Sequence, residues 1–490
     1  MNHRQDHCCH WLRDLALHSV LLASLVLPAG CTTTRAPDNK AITSIAKNSG
    51  YRPTRDWVVD RSGGNTVLLA FSGGGVRAAA LSYGVMQELR DTLIQRDGTT
   101  VRLLDEVDGI SAVSGGSFTA AYYGLYRERL FEDYEDDFLR QGVQQALIKQ
   151  LFNPMHWIRS GFRGFNRTEM TIDYYNRIMF DGATFEDLER NGPPYITINA
   201  TDLAGGLRFA FSQGMFDLIC SDLGSYPVAR AVTASSAVPV AFPPVVLENH
   251  AGSCDLGDDT QWQQLQQLQP QNSVQTSLVE GMKSYRDARQ RRYIHLVDGG
   301  IGDNLGLRTL IDRFETMNME EMERLPGNAN GDILVILVNA EVNPDRLIEQ
   351  TYAAPSVGTT MAAVSSAQFS NYNMETLDRF RQLLAEVQQY SEQNKLSRKI
   401  YFTQVSFEHV KSSEINRLLN SLPTTLALED IDVDRLIVAG RLLLRTEPEF
   451  EAFKQRHNAS LAEGALSEQA LCEYYPHPAC PTPPNRAGSP

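Results

Sequence analysis

Short apolar runs recur along the chain, each stopped by glycine and followed by a stretch whose apolar positions return at helical spacing. Val67–Phe71 halts at Gly73-Gly74-Gly75 and gives way to a helical pattern from Val76 to Leu89. Val107–Val113 meets Ser114-Gly115-Gly116 and passes into an apolar, aromatic stretch at Phe118–Tyr126. Tyr195–Ala200, Arg208–Phe211, Tyr293–Val297 and Ile333–Val338 are further strand candidates. Strands alternating with helices predict an α/β domain with a largely parallel sheet. After Pro344 the pattern turns helical, as in Glu375–Tyr390 and Val433–Leu444. Two stretches interrupt the alternation. Glu248–Arg292, rich in Gln, Asp and Ser, reads as an exposed elaboration. Leu151–Phe165 mixes Phe152, Trp157 and Phe162 with Arg159 and Arg163; it reads as a core helix, with an interfacial lid as the alternative.

The N-terminus carries a different pattern. Arg4 and Arg13 precede an apolar run from Leu15 to Leu27, and Ala29-Gly30 leads into Cys31. The run is short for a bilayer span, which takes about 20 residues. A basic region, an apolar core and small residues at the end are the layout of an export signal. The cysteine directly after Ala-Gly resembles the bacterial lipobox, although Pro28 stands where that motif usually carries leucine. That resemblance implies an acylated Cys31 at the mature N-terminus. Thr32, rather than aspartate, follows it, which implies an outer-membrane lipoprotein. A plain secretory signal is the alternative.

Composition narrows the partners. The chain has 490 residues and a formal net charge of −14, which argues against nucleic acid as a partner, because phosphate binding needs clustered Lys and Arg. The same charge gives no attraction to an anionic membrane surface, so an N-terminal anchor would have to supply the contact. Of seven cysteines, Cys220, Cys254, Cys472 and Cys480 lie beyond the lipid candidate, without a metal-binding spacing. Cys472–Cys480 is the expected local disulfide. No metal or cofactor is implied; nothing resembles a calcium loop.

Three segments can carry chemistry. In Ala112-Val113-Ser114-Gly115-Gly116 a serine sits on a tight strand-to-helix turn, where small neighbours are needed and the hydroxyl is exposed. Gly116 fills the last place of a Gly-x-Ser-x-Gly signature and Ala112 replaces its first glycine. Ser111 and Ser117 fit that signature less well. In Ser72-Gly73-Gly74-Gly75-Val76-Arg77, successive backbone N–H groups can converge on an oxyanion, where losing one donor costs about 3–4 kcal/mol. The segment lacks the Lys-Ser/Thr ending of a phosphate loop and the Gly-x-Gly-x-x-Gly spacing of a dinucleotide loop. Arg77 is expected to orient this loop through its carbonyls, with attraction of a lipid phosphate as the lesser role. Asp298-Gly299-Gly300 closes the run Tyr293–Val297 and places a carboxylate at a strand end, where sites of parallel sheets gather.

Together these segments resemble the patatin-like phospholipases. Ala234-Ser235-Ser236-Ala237-Val238-Pro239 and Phe242-Pro243-Pro244-Val245 resemble a further block of that family, and the likeness runs from about Thr66 to Ala340. It implies a three-layer α/β/α fold with a helical C-terminal extension, and a lipid acyl hydrolase acting on a phospholipid or another acyl-ester lipid. It also implies Ser114 as nucleophile, Asp298 as base without a histidine, and Gly73–Gly75 as oxyanion donors. The expected organisation is a signal at 1–30, a tether at 31–60, a catalytic domain at 61–345, a mainly helical region at 346–470 and a Pro-rich tail at 471–490. A Ser-His-Asp esterase would need a histidine after the acid, and His409, His457 and His477 lie in helical or polar stretches. His295 is three residues from Asp298 on one strand, hence on the opposite face. A non-catalytic lipoprotein is the remaining alternative.

Overall fold

The computed structural model describes residues 35–45, 50–52, 65–96, 98–142, 166–239, 241–256, 260–270, 272–316, 331–342, 346–350, 352–410, 412–467 and 470–471. The apolar leader, Cys31, the stretch Leu151–Phe165, His477 and the pair Cys472 and Cys480 lie outside them. Among the described residues no helix is long and apolar enough to cross a membrane.

The main sheet has eight strands: β1 (Thr66–Phe71), β2 (Val107–Val113), β3 (Tyr195–Asp202), β4 (Leu207–Ala210), β5 (Val245–Glu248), β6 (Tyr293–Val297), β7 (Ile333–Asn339) and β8 (Ile400–Ser406). The helices that frame it are α1 (Gly75–Asp91), α2 (Gly115–Tyr126), α3 (Arg167–Tyr175), α4 (Val228–Ser235), α5 (Gly300–Asp303), α6 (Arg308–Thr316), α7 (Val357–Gln393) and α8 (Asp430–Thr446). Strand order is β8-β7-β1-β2-β3-β6-β5, with β4 paired to β3. The five strands from β8 to β3 are parallel, whereas β6 runs antiparallel to β3 and β5 antiparallel to β6.

All seven residues of β7 are buried because helices cover both faces of the sheet. Leu334, Ile336 and Val338 join the core formed with α1, α2, α4 and α8, while Ile333, Val335 and Leu337 pack with α6 and α7. The architecture is therefore three layers, α/β/α, with a mixed, mostly parallel centre.

The C-terminal region is more than a helical extension. It supplies β8, which pairs with β7 in parallel register from Ile333↔Ile400 to Asn339↔Ser406. It also supplies α8, which crosses α1 so closely that a Cβ on Gly84 would lie 2.1 Å from the Ile437 carbonyl oxygen. Only glycine permits that approach. Buried ion pairs fasten the same crossing: Arg445 to Glu88 at 2.6 Å and Arg441 to Asp91 at 2.6 Å.

Where described, the segment that reads as a tether is docked on the domain. Lys40–Ala41 pairs antiparallel with Ser221–Asp222, and the Asn39 amide donates to Ser221 Oγ (2.8 Å) and the Glu248 carbonyl (2.9 Å). Tyr51 is buried and stacks on Tyr195 with ring centroids 4.6 Å apart. A polar stretch without apolar period hides such docking, because the partners lie far along the chain. Another long-range link is the disulfide Cys220–Cys254, with a Cα separation of 5.5 Å, which ties the Gln-rich insert to the core. Spacing alone favoured no such pair over a nearer one. Closing a loop of this sequence separation, 34, restricts the unfolded chain and stabilises the fold by about 4 kcal/mol in the chain-entropy account.

Candidate active site

The parallel strands deliver their C-terminal ends to one edge of the sheet, and there β2 turns sharply into α2. Ser114 occupies the turn with φ 49° and ψ −121°, a strained conformation for a residue with a Cβ. The turn is possible because the next residue is glycine: a Cβ on Gly115 would lie 2.0 Å from the Gly75 carbonyl oxygen. Ala112, by contrast, lies in β2, in register with Phe71 and Ile198, and is not among the positive-φ residues. Its methyl group therefore asks for no unusual backbone, which explains how alanine replaces the first glycine of the signature.

Asp298 reaches the turn from an unexpected direction. The sequence suggests a parallel strand ending beside Ser114, yet β6 is antiparallel. The pairs Leu296↔Asp202 and Val297↔Thr201 carry β6 back along β3, so the next residue, Asp298, comes level with Ala200. Val113 pairs with Asn199, so Ser114 stands at the same level from the other side of β3. The Ser114 hydroxyl donates to Asp298 Oδ2 at 3.0 Å. The other carboxylate oxygen accepts the Gly300 N–H at 2.8 Å. Burial pushes the Asp298 carboxyl up from 3.8 to about 6, against the lowering effect of those two donors.

The glycine loop lies over the serine; a Cβ on Gly73 would stand 3.4 Å from Ser114 Cβ. Its three amides are not equivalent. Gly73 N–H donates to the Asn304 carbonyl at 2.9 Å, which removes it from the expected donor set. The Val76 N–H is taken by the Thr425 carbonyl at 2.9 Å. Between them, Gly74 (φ 141°) and Gly75 (φ 62°) have amides with no hydrogen-bond partner among the described residues. Arg77 is buried behind this loop and donates to the carbonyls of Ala340 (2.9 Å) and Leu422 (2.7 Å) and to Thr424 Oγ1 (2.9 Å). It thus holds a neighbouring loop against Gly75, instead of the glycine loop's own carbonyls. Burial without a carboxylate lowers its guanidinium to about 10.

Three residues to which the sequence assigned no role complete the arrangement. Ser235, the last residue of α4, accepts the Ser114 N–H on its hydroxyl (2.8 Å) and donates that hydroxyl to the Asn199 carbonyl (2.6 Å). Its own carbonyl accepts the Gly299 N–H at 2.9 Å. The Asn199 side chain donates to Ser111 Oγ (3.0 Å) and the Ala112 carbonyl (3.2 Å) and accepts from Arg208 (3.0 Å) and Thr309 (3.0 Å). Asn304 is the residue that occupies Gly73. A polar Asn inside the buried run Tyr195–Asp202 was the signal for one of them.

The histidines of an alternative triad are elsewhere. His457 pairs with Asp332 at 3.0 Å, but Asp332 precedes β7 and so marks the opposite edge of the sheet. His409 pairs with Glu447 at 2.6 Å, and His295 is exposed. Among the described residues no cluster could hold a metal ion.

Residues 69–311 match the family model of the patatin-like phospholipases. The chain carries a patatin-like phospholipase domain. Ser114, Asp298, Gly73–Gly75, Arg77 and the Ser235 block all fall within its span, whereas β7, β8 and α8 lie beyond it. No curated protein matches the sequence. Several solved structures are similar to it. A human GIVD cytosolic phospholipase A2 shares 10% identity at a TM-score of 0.31, covering 58% of this chain and 48% of that one. VipD from Legionella pneumophila shares 12% identity at a TM-score of 0.30, covering 81% and 68%. The chain thus spans about half the length of the human phospholipase. At these TM-scores neither likeness bears on the chemistry of the patatin-like site.

Proposed function

We propose that this chain is a serine hydrolase of lipid acyl esters, of phospholipase A or lysophospholipase type, working through Ser114 and Asp298. The observation that carries the reading is the 3.0 Å hydrogen bond from the Ser114 hydroxyl to a buried carboxylate, beside a glycine loop with two open amides. As the Ser114 oxygen attacks the ester carbonyl, its proton passes to Asp298. The carbonyl oxygen becomes an oxyanion held by the Gly74 and Gly75 N–H groups. Collapse breaks the ester bond, and Asp298 returns the proton to the departing alcohol. Water, deprotonated by Asp298, then attacks the acyl-enzyme and releases the fatty acid and free Ser114. An ordinary carboxylate is a weak base for an alcohol, and burial of Asp298 brings its proton affinity closer to working pH. Fatty-acid release from defined phosphatidylcholine and lysophosphatidylcholine, with mass-spectrometric mapping of a phosphonate adduct, tests the reading; an adduct on another serine would overturn it.

The role of Asp298 sets a pH dependence. The base acts only when ionised, and its folded-state value is about 6. Activity on a soluble ester is therefore expected to fall about tenfold per unit below pH 6 and to level off above it. A profile that is flat from pH 5 to 8 would remove Asp298 from the role.

The chain is further proposed to be exported and anchored to a bacterial outer membrane through an acylated Cys31. The Cys220–Cys254 disulfide supports an oxidising compartment. Intact-mass analysis of the mature N-terminus is expected to show a diacylglyceryl cysteine, lost in Cys31→Ser. A mature chain that starts elsewhere without lipid would refute the anchor.

A further inference from the structure

Beside the dyad runs a stretch that the chemistry leaves unused. From Ala231 to Leu247 the sequence has no charged side chain. Its first part is α4, which ends at Ser235, and the chain then touches Asp298: the Ala237 carbonyl accepts the Asp298 N–H at 2.9 Å. The next side chain, Val238, is 48% exposed; Pro239 and Ala241 are also exposed, and Phe242 is partly so. Apolar side chains therefore stand in solvent at the mouth of a site proposed to take lipid esters.

The N-terminal segment docks on the domain at the same place. Arg230, in the first turn of α4, donates to Asp38 at 2.8 Å and binds Glu169 on α3 at 2.8 Å. Arg35 binds the same Glu169 at 3.3 Å. The residue before Glu169, Thr168, donates to the Pro243 carbonyl at 2.6 Å. The first described residue of the chain is thus fastened one residue away from a contact with the apolar rim. Upstream of it lie Cys31 and the apolar run Leu15–Leu27. The chain from Arg35 back to Cys31 can span at most about 14 Å.

We propose that the rim bearing Val238, Ala241 and Phe242 is a lipid-facing surface, set on the bilayer by an N-terminal segment pinned at Arg35 and Asp38. The inference rests on the lipid-hydrolase reading for its purpose, though not for its test. Overall charge cannot draw this chain to an anionic surface, since its net charge is −14, so apolar contact has to supply the seat. A short leash keeps it there. An anchor on a long free tether would let the domain tumble and present any face; one docked through residues 35–41 fixes which face meets the lipid.

The test uses the full chain as Ser114→Ala, reconstituted on zwitterionic phosphatidylcholine vesicles and compared with detergent-free protein by hydroxyl-radical footprinting. Val238 and Phe242 are expected to lose at least fivefold in oxidation rate on vesicles. Val364 and Met374, exposed on α7 across the sheet, are expected to keep theirs. Protection of Val364 and Met374 with Val238 and Phe242 unchanged would overturn the proposal, as would equal rates everywhere. Because no turnover is involved, this outcome is independent of whether Ser114 is a nucleophile. In the active chain, Val238→Glu and Ala241→Glu are expected to lose at least tenfold more activity on vesicles than on a soluble short-chain ester. Equal losses on both substrates would count against a lipid-facing rim.

Discussion

Replacing Ser114 by alanine is expected to remove ester hydrolysis, with a loss of at least about 10⁴ in kcat, because no other group can form the acyl-enzyme. Asp298→Asn is expected to lose about 10³–10⁴. The amide keeps an oxygen for the Gly300 N–H but turns an N–H toward the Ser114 oxygen, so the proton has nowhere to go. Stability separates this from simple damage. The Asp298 carboxyl sits at about 6 in the folded chain against 3.8 unfolded, so the folded state holds the proton more tightly. That contribution is complete below about pH 4 and is lost as pH rises through about 6. At pH 8 the ionised, buried Asp298 costs roughly 3 kcal/mol, taking 1.4 kcal/mol per unit. Asp298→Asn lacks that cost and should be at least as stable as wild type at pH 8 in urea unfolding, though inactive. An inactive variant that is also strongly destabilised there would undo the argument, and so would measurable turnover by Ser114→Ala.

The same balance explains what could be seen in the sequence. Central strands covered on both faces appear as largely apolar runs, interrupted in β2 by Asp108, Gly109 and Ser111, so β1, β2 and β7 were legible to within a residue or so. Strand β8, Ile-Tyr-Phe-Thr-Gln-Val-Ser, sits at the edge of the sheet and interleaves polar residues, so it did not stand out among the helices around it. The direction of β6 was not legible at all, because direction depends on the neighbour a strand finds, and that neighbour is β3, some ninety residues earlier in sequence. At the site, Ser114 and the glycines declared themselves because their backbone is crowded, and crowding restricts residue type locally. Ser235, Asn199 and Asn304 act through a hydroxyl and two carbonyls on partners far away in sequence. Nothing local demands them. The same reason hid Gly73's occupied amide, since a loop's sequence does not say which of its donors another segment will take.

Ser235→Ala is expected to lower kcat about 10- to 100-fold while leaving KM within about threefold. The hydroxyl takes the N–H of Ser114 itself, in a buried turn held at φ 49°. Without it that N–H has no acceptor, and an unsatisfied buried donor costs about 1–3 kcal/mol. Relief comes by rotating the Ser114 peptide, which swings the hydroxyl out of line with Asp298. Losing the bond to the Asn199 carbonyl loosens the other side as well, because Gly299 hangs on the Ser235 carbonyl. Ser235 bonds to the Ser114 N–H, the Asn199 carbonyl and the Gly299 N–H and not to the Asp298 carboxylate; it is a positioning residue that fixes the distance between the two reacting groups. A positioning role predicts that the plateau falls further than the pH profile moves, since the carboxyl keeps its burial and its Gly300 donor and loses only the lowering effect of the Ser114 hydroxyl. Ser235→Thr, which retains the hydroxyl, is expected to recover most of the rate. If alanine shifts the pH profile as far as it lowers the plateau, or if threonine is as impaired as alanine, then Ser235 fills space rather than aligning the dyad.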